Sequence, residues 1–141
     1  MVLRTMGLGI FECACLTAKG MLMANPFVHV ELNSTDLNKA RSFYQQLFAW
    51  KLQDVPMPQG TYTLIDVGEG TGGGMLQHPM SGAPSMWVAY VAVDDIRAST
   101  DKAKSLGGKV LKDVEVIPQG SFSIIEDPTG AVFALWKSPD N

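Results

Sequence analysis

The chain states nearly the same thing twice. Residues 58–66 read Pro-Gln-Gly-Thr-Tyr-Thr-Leu-Ile-Asp, and residues 118–126 read Pro-Gln-Gly-Ser-Phe-Ser-Ile-Ile-Glu. All nine positions match by identity or close chemistry at an offset of 60. Gly70 corresponds to Gly130 at the same offset, and the helix-start pair Asp36-Leu37 corresponds to Asp95-Ile96 at an offset of 59. A repeat of this length is a whole supersecondary unit, so the chain must fold as two copies of one motif. The offset also locates, for any residue in one copy, its mate in the other.

Periodicity gives the motif. In Phe27-Val28-His29-Val30-Glu31-Leu32-Asn33, apolar Val28, Val30 and Leu32 alternate with polar His29, Glu31 and Asn33, which predicts a half-buried strand. Ser34-Thr35-Asp36 supplies N-cap side chains, and Leu37, Ala40, Phe43, Tyr44, Leu47 and Phe48 recur at helical spacing over 37–48. Residues 50–52 read as a short strand, 55–60 as a turn with two prolines, 62–67 as a strand, 68–70 as a turn and 73–77 as a last strand. The second copy repeats the order. Residues 87–93 are strand-like, Asp94-Asp95 cap a helix through Leu106, and Gly107-Gly108 stop it. Strands follow at 109–111, 122–125 and 132–137, with Asp127-Pro128-Thr129-Gly130 as a turn. The expected fold is α+β: two tandem βαβββ modules, 26–78 and 86–137, joined by a linker at 79–85 within one domain, 24–141. A four-stranded sheet with one helix leaves one face bare. Two such sheets can shelter those faces by curving, as mixed sheets, around a shared cavity.

Bulk properties exclude some roles. With 11 basic and 14 acidic residues the net charge is −3, and there is no basic stripe to neutralise phosphates, so nucleic acid is not an expected partner. No apolar run reaches the ~20 residues that span a bilayer, so no membrane role is expected. Residues 1–23 read as an extension, either disordered or preceding the true translation start, because Met21 and Met23 stand just before the organised sequence. The cysteines, Cys13 and Cys15, both lie in it and make neither a disulfide framework nor a zinc site. A cytoplasmic protein is the expectation.

These motifs resemble the vicinal oxygen chelate superfamily of glyoxalases, bleomycin resistance proteins and extradiol dioxygenases. The resemblance is carried by Val28-His29-Val30-Glu31-Leu32, by Asp36-Leu37 through Phe43-Tyr44 and Leu47-Phe48, by Val93-Asp94-Asp95-Ile96 and by Asp127-Pro128-Thr129-Gly130. It covers residues 26–137. Ala49-Trp50 departs from the glycine that often precedes the aromatic at this helix exit. The resemblance implies a homodimer, and in metal-dependent members one ligand on the first and one on the last strand of each module. Here those four positions are His29, Gly74, Val88 and Ala134. One imidazole falls short of the roughly three protein ligands a catalytic metal needs.

The expected function is therefore metal-independent binding of a small organic molecule, for sequestration, transport or sensing, with no cofactor. The alternative is a metal-dependent lyase, isomerase or dioxygenase in which a divalent metal is held by His29 with Glu31. The expected pocket comprises His29, Glu31, Tyr62, Gly74, Val88, Tyr90, Phe122, Ala134 and Trp136. His29 and Glu31 are its polar contacts, and Tyr90 and Trp136 share strand faces with Val88 and Ala134 by alternation. Core packing is the simpler role for Tyr62 and Phe122. Gly72-Gly73-Gly74 lacks the Lys-Ser/Thr of a phosphate loop and reads as a strand bend that enlarges the pocket. Asp66 and Glu126 are repeat mates at solvent-facing strand ends. No serine or cysteine nucleophile accompanies the histidines.

Overall fold

Asp36 and Asp95 start the two helices in the same way. The Asp36 carboxylate accepts the Lys39 N–H at 3.1 Å, and Asp95 accepts the Ala98 N–H at 2.9 Å. Each satisfies a backbone donor that the first helical turn leaves unpaired. A computed structural model describes residues 24–58 and 60–140. In chain order its elements are β1 (Phe27–Ser34), α1 (Leu37–Leu47), β2 (Lys51–Met57), β3 (Gly60–Asp66), β4 (Gly73–Gln77), β5 (Met86–Ala92), α2 (Ile96–Ser105), β6 (Lys109–Ile117), β7 (Gly120–Glu126) and β8 (Val132–Lys137). The order is βαβββ twice, as the repeat requires. The extension 1–23, with both cysteines, lies outside the described residues.

The strands form one curved, unclosed sheet in the order β2-β3-β4-β1-β5-β8-β7-β6. Within each module the first and last strands run parallel, β1 with β4 and β5 with β8. The modules meet through the antiparallel pair β1–β5. That pairing crosses the repeat. His29 faces Tyr90 and Glu31 faces Val88, whereas the repeat mate of His29 is Val88 and that of Glu31 is Tyr90.

Both helices cover the same side of the sheet. Leu32, Ile65 and Met75 pack under Leu37, Ala40 and Tyr44 of α1, while Ile125 and Leu135 pack with Val93 and with Ile96 and Ala103 of α2. Met75 is wholly buried, and burying a side chain of that kind contributes about 2–3 kcal/mol. Strand alternation then sends His29, Glu31, Tyr62, Val88, Tyr90, Ala134 and Trp136 to the opposite, concave face. None of the helices among the described residues is long and apolar enough to cross a membrane.

Three local expectations are corrected. β2 runs on through Pro56 to Met57, where a turn is expected. As the edge strand it tolerates a proline, whose missing N–H need not serve a neighbour. β6 reaches Ile117 instead of ending at Leu111, and shifts register between Val110 and Lys112 and again before Glu115. β1 shifts register between Phe27 and His29, so Val28 does not follow the alternation of Val30 and Leu32. It packs with Val88, Tyr90 and Trp136 instead.

Candidate functional site on the concave face

The middle of the concave face is a hydrogen-bonded cluster. Tyr62 on β3 places its hydroxyl 2.7 Å from His29 Nε2 and donates to Glu31 Oε2 at 2.9 Å. Asn33 donates its side-chain N–H to Glu31 Oε1 at 3.3 Å, and the Tyr90 hydroxyl from β5 bonds the same carboxylate. Tyr62 has one proton, and it goes to Glu31. The Tyr62 oxygen must therefore accept from His29, which fixes that histidine as the Nε2–H tautomer. The Tyr90 ring meets the His29 ring edge-on at 5.5 Å.

Burial sets the charge states. His29 is 2% exposed, and loss of solvent lowers its pKa to about 4, so the imidazole is neutral at pH 7. Burial pushes the Glu31 carboxyl up from its ordinary range, against the hydrogen bonds from Tyr62, Tyr90 and Asn33 and the positive charge of Lys112. Tyr62 and Tyr90 are shifted upward, first by burial and then by the Glu31 charge, so both remain hydroxyl donors.

The module-two half of the face is apolar. Val88, Tyr90, Ala134 and Trp136 are buried together, with Met86, Ile117, Phe122 and Ile124 packed on them. Phe122 lies 6.4 Å from Tyr90. The Lys112 ammonium sits 5.2 Å above the Phe122 ring and pairs with Glu115 at 2.6 Å. The register shifts in β6 bring Lys112 opposite Ile124 and Glu115 opposite Phe122, aiming both onto this face.

All the residues expected in the pocket thus share one face, but two play parts the sequence reading does not give them. Gly74 does not enlarge a cavity, because a β-carbon there would collide with the Tyr62 hydroxyl and ring. The missing side chain makes room for Tyr62. Tyr62 in turn is more than core packing, since it links His29 to Glu31. Asn33 and Lys112 were missed. Asn33 continues the alternation of His29 and Glu31 and was legible from it. Lys112 was hidden by the bulged strand. A separate groove of about 250 Å³, lined by Trp50, Trp87, Gly72 and Gly73 among others, lies on the helix side and away from this chemistry.

The family-implied metal can now be tested on the donor set. Of the four ligand positions, His29 alone offers a donor, Gly74 is overlain by Tyr62, and Val88 and Ala134 are apolar. His29 and Glu31 are both bonded to Tyr62. Among the described residues no three of His, Cys, Asp and Glu come together in a way that could hold a metal. The residues present do not fit a metal centre.

Residues 27–135 match the Glyoxalase/Bleomycin resistance protein/Dioxygenase superfamily profile. The chain belongs to that superfamily. It is 36% identical over 115 residues to CFP32 of Mycobacterium tuberculosis, which carries a glyoxylase name, a match covering 77% of this chain and 44% of that protein. It is 28% identical over 123 residues to the anthracycline biosynthesis protein DnrV of Streptomyces peucetius, covering 76% of this chain and 45% of that one. The chain therefore spans about half the length of these relatives. Methylmalonyl-CoA epimerase from Mycobacterium tuberculosis shares the fold, with a TM-score of 0.61 at 15% identity over 88% of this chain and 97% of that one.

Proposed function

We propose that this superfamily member binds a small organic molecule on its concave face without a metal, as a sequestering, carrier or sensor protein. The observation that carries the reading is the split of that face. A polar floor of buried His29, Tyr62 and Tyr90 with half-buried Glu31 adjoins an apolar cluster of Val88, Ala134 and Trp136 on which Phe122 and Ile124 pack. Small-molecule sites have this composition: mostly apolar and aromatic, with a few convergent polar groups that fix orientation. The relative named for anthracycline biosynthesis fits a role with a small organic molecule.

The donor set supports metal independence, and a calorimetric titration tests it. Metal-depleted protein is titrated with zinc, nickel, manganese and anaerobic ferrous iron, with His29→Ala as control. The expected result is no binding beyond the control. Tight one-to-one binding lost in His29→Ala would overturn the reading and point to a metal-dependent enzyme with an unusual ligand set.

A further inference from the structure

The polar floor is directional. Asn33, Tyr62 and Tyr90 all spend a proton on the Glu31 carboxylate, and His29 spends its N–H on the Tyr62 oxygen. A carboxylate has about four lone-pair sites, of which these three donors use three. The protein has thus turned its donors inward, and what the floor presents to a newcomer is acceptor capacity. A ligand carbonyl or ether oxygen would find no proton on Tyr62, Tyr90 or His29 Nε2 without breaking a bond already made. A hydroxyl or amino N–H would complete the carboxylate's shell.

Charge narrows the class further. Glu31 is surrounded by His29 and Asn33 from β1, Tyr62 from β3 and Tyr90 from β5, all neutral, with Lys112 from β6 the cation that acts on it. Lys112 is itself paired with Glu115. An anionic ligand would bring another negative charge beside a desolvated carboxylate, which is costly unless a cation is dedicated to it. Phe122, half-buried beside the floor, offers an aromatic surface, which suits a planar apolar body.

Resting on the small-molecule reading above, we propose that the site selects an uncharged planar aromatic molecule bearing a hydrogen-bond donor, such as a phenol-type hydroxyl or an aryl amine, and that Glu31 is the residue that recognises the donor. Rejection of a donor-lacking analogue follows from the same arrangement. A methylated oxygen would leave the carboxylate's last acceptor site buried and unpaired.

Three matched probes test this: 2-naphthol, 2-methoxynaphthalene and 2-naphthoate, each titrated against the full chain and followed by quenching of tryptophan fluorescence. The expected order is naphthol at least about tenfold tighter than the methyl ether, with naphthoate weaker than naphthol. In Glu31→Gln, which replaces one acceptor oxygen by a donor, the preference for naphthol over the ether should fall toward unity while ether binding persists. Tyr90→Phe is the second variant if Glu31→Gln does not fold. It frees another lone pair on Glu31, so naphthol should keep or gain its advantage. Equal binding of naphthol and ether by the wild type would overturn donor recognition and leave the pocket reading standing. Failure of all three probes to bind would overturn the pocket reading itself.

Discussion

Tyr62 lies across Gly74. The two residues sit on neighbouring strands β3 and β4, and a β-carbon on Gly74 would occupy the space of the Tyr62 hydroxyl and ring edge. The glycine is therefore the reason the Tyr62 hydroxyl can reach both His29 and Glu31. The metal-ligand position of β4 has been given over to a tyrosine from β3.

Gly74→Ala should push Tyr62 off this seat. The expected cost is about 1–3 kcal/mol, the range for overpacking a filled site. Chemical denaturation of Gly74→Ala, Tyr62→Ala and the double variant checks the mechanism. The two changes should be strongly non-additive, because the three atoms nearest the added methyl all belong to Tyr62. Additive losses would mean that Gly74 is needed for some other reason.

Acid should destabilise the protein through His29. Its pKa in the folded state is held near 4 by burial, below the ordinary 6.5. A group whose folded pKa is depressed contributes stability that is present above its unfolded pKa and lost as pH falls toward the folded one. The loss between pH 6.5 and 4 is at most about 3 kcal/mol. Glu31 acts with the opposite sign, because burial raises its pKa and favours the folded state at low pH. Melting temperatures of wild type and His29→Gln across this window separate the two. The wild type should fall more steeply on acidification, and parallel curves would remove His29 as the cause.

Much of the fold was legible because its signals are local or repeated. The caps at Asp36 and Asp95, the helix stop at Gly107 and the strand β4 all appear where spacing and turn chemistry put them. Alternation also placed Val88, Tyr90, Ala134 and Trp136 on one face. What stayed hidden depends on register between distant strands. Nothing in the residues around Val28 or Leu111 announces a bulge, yet those irregularities decide where Val28 and Lys112 point. Tyr62 read as core for the same reason. Its contacts with His29 and Glu31 span 33 and 31 residues and exist only once β3, β4 and β1 lie side by side.

Gly120 makes a second tight fit of this kind, in module two. A side chain there would meet the Trp136 ring and the Lys137 carbonyl, and its φ of +150° disfavours one as well. Gly130 has a positive φ too, +96°, but open space around it. Gly130→Ala should cost about 1 kcal/mol, the backbone penalty alone. Gly120→Ala should cost clearly more and alter the tryptophan fluorescence. Equal losses in thermal unfolding would mean that the Trp136 contact carries no weight.

The helix–sheet tie is made at equivalent places by different chemistry. In module one Arg41 and Asp54 pair at 2.8 Å, and Asp54 also accepts from buried Thr63 at 2.9 Å. The repeat mates of Arg41 and Thr63 are Thr100 and Ser123, which bond each other at 2.9 Å with both residues buried. Thr100 also donates to the Ile96 carbonyl at 2.6 Å, so its one proton is committed there and Ser123 must be the donor between them. Thr100→Val keeps the shape but strands the Ser123 hydroxyl, and should cost about 1–3 kcal/mol. Ser123→Ala leaves the Thr100 donor satisfied and should cost less. The double variant should therefore be destabilised by less than the sum, because the stranded hydroxyl is gone. Denaturant titration of all four proteins measures the coupling, and strict additivity would show that the hydroxyl pair does not join α2 to β7.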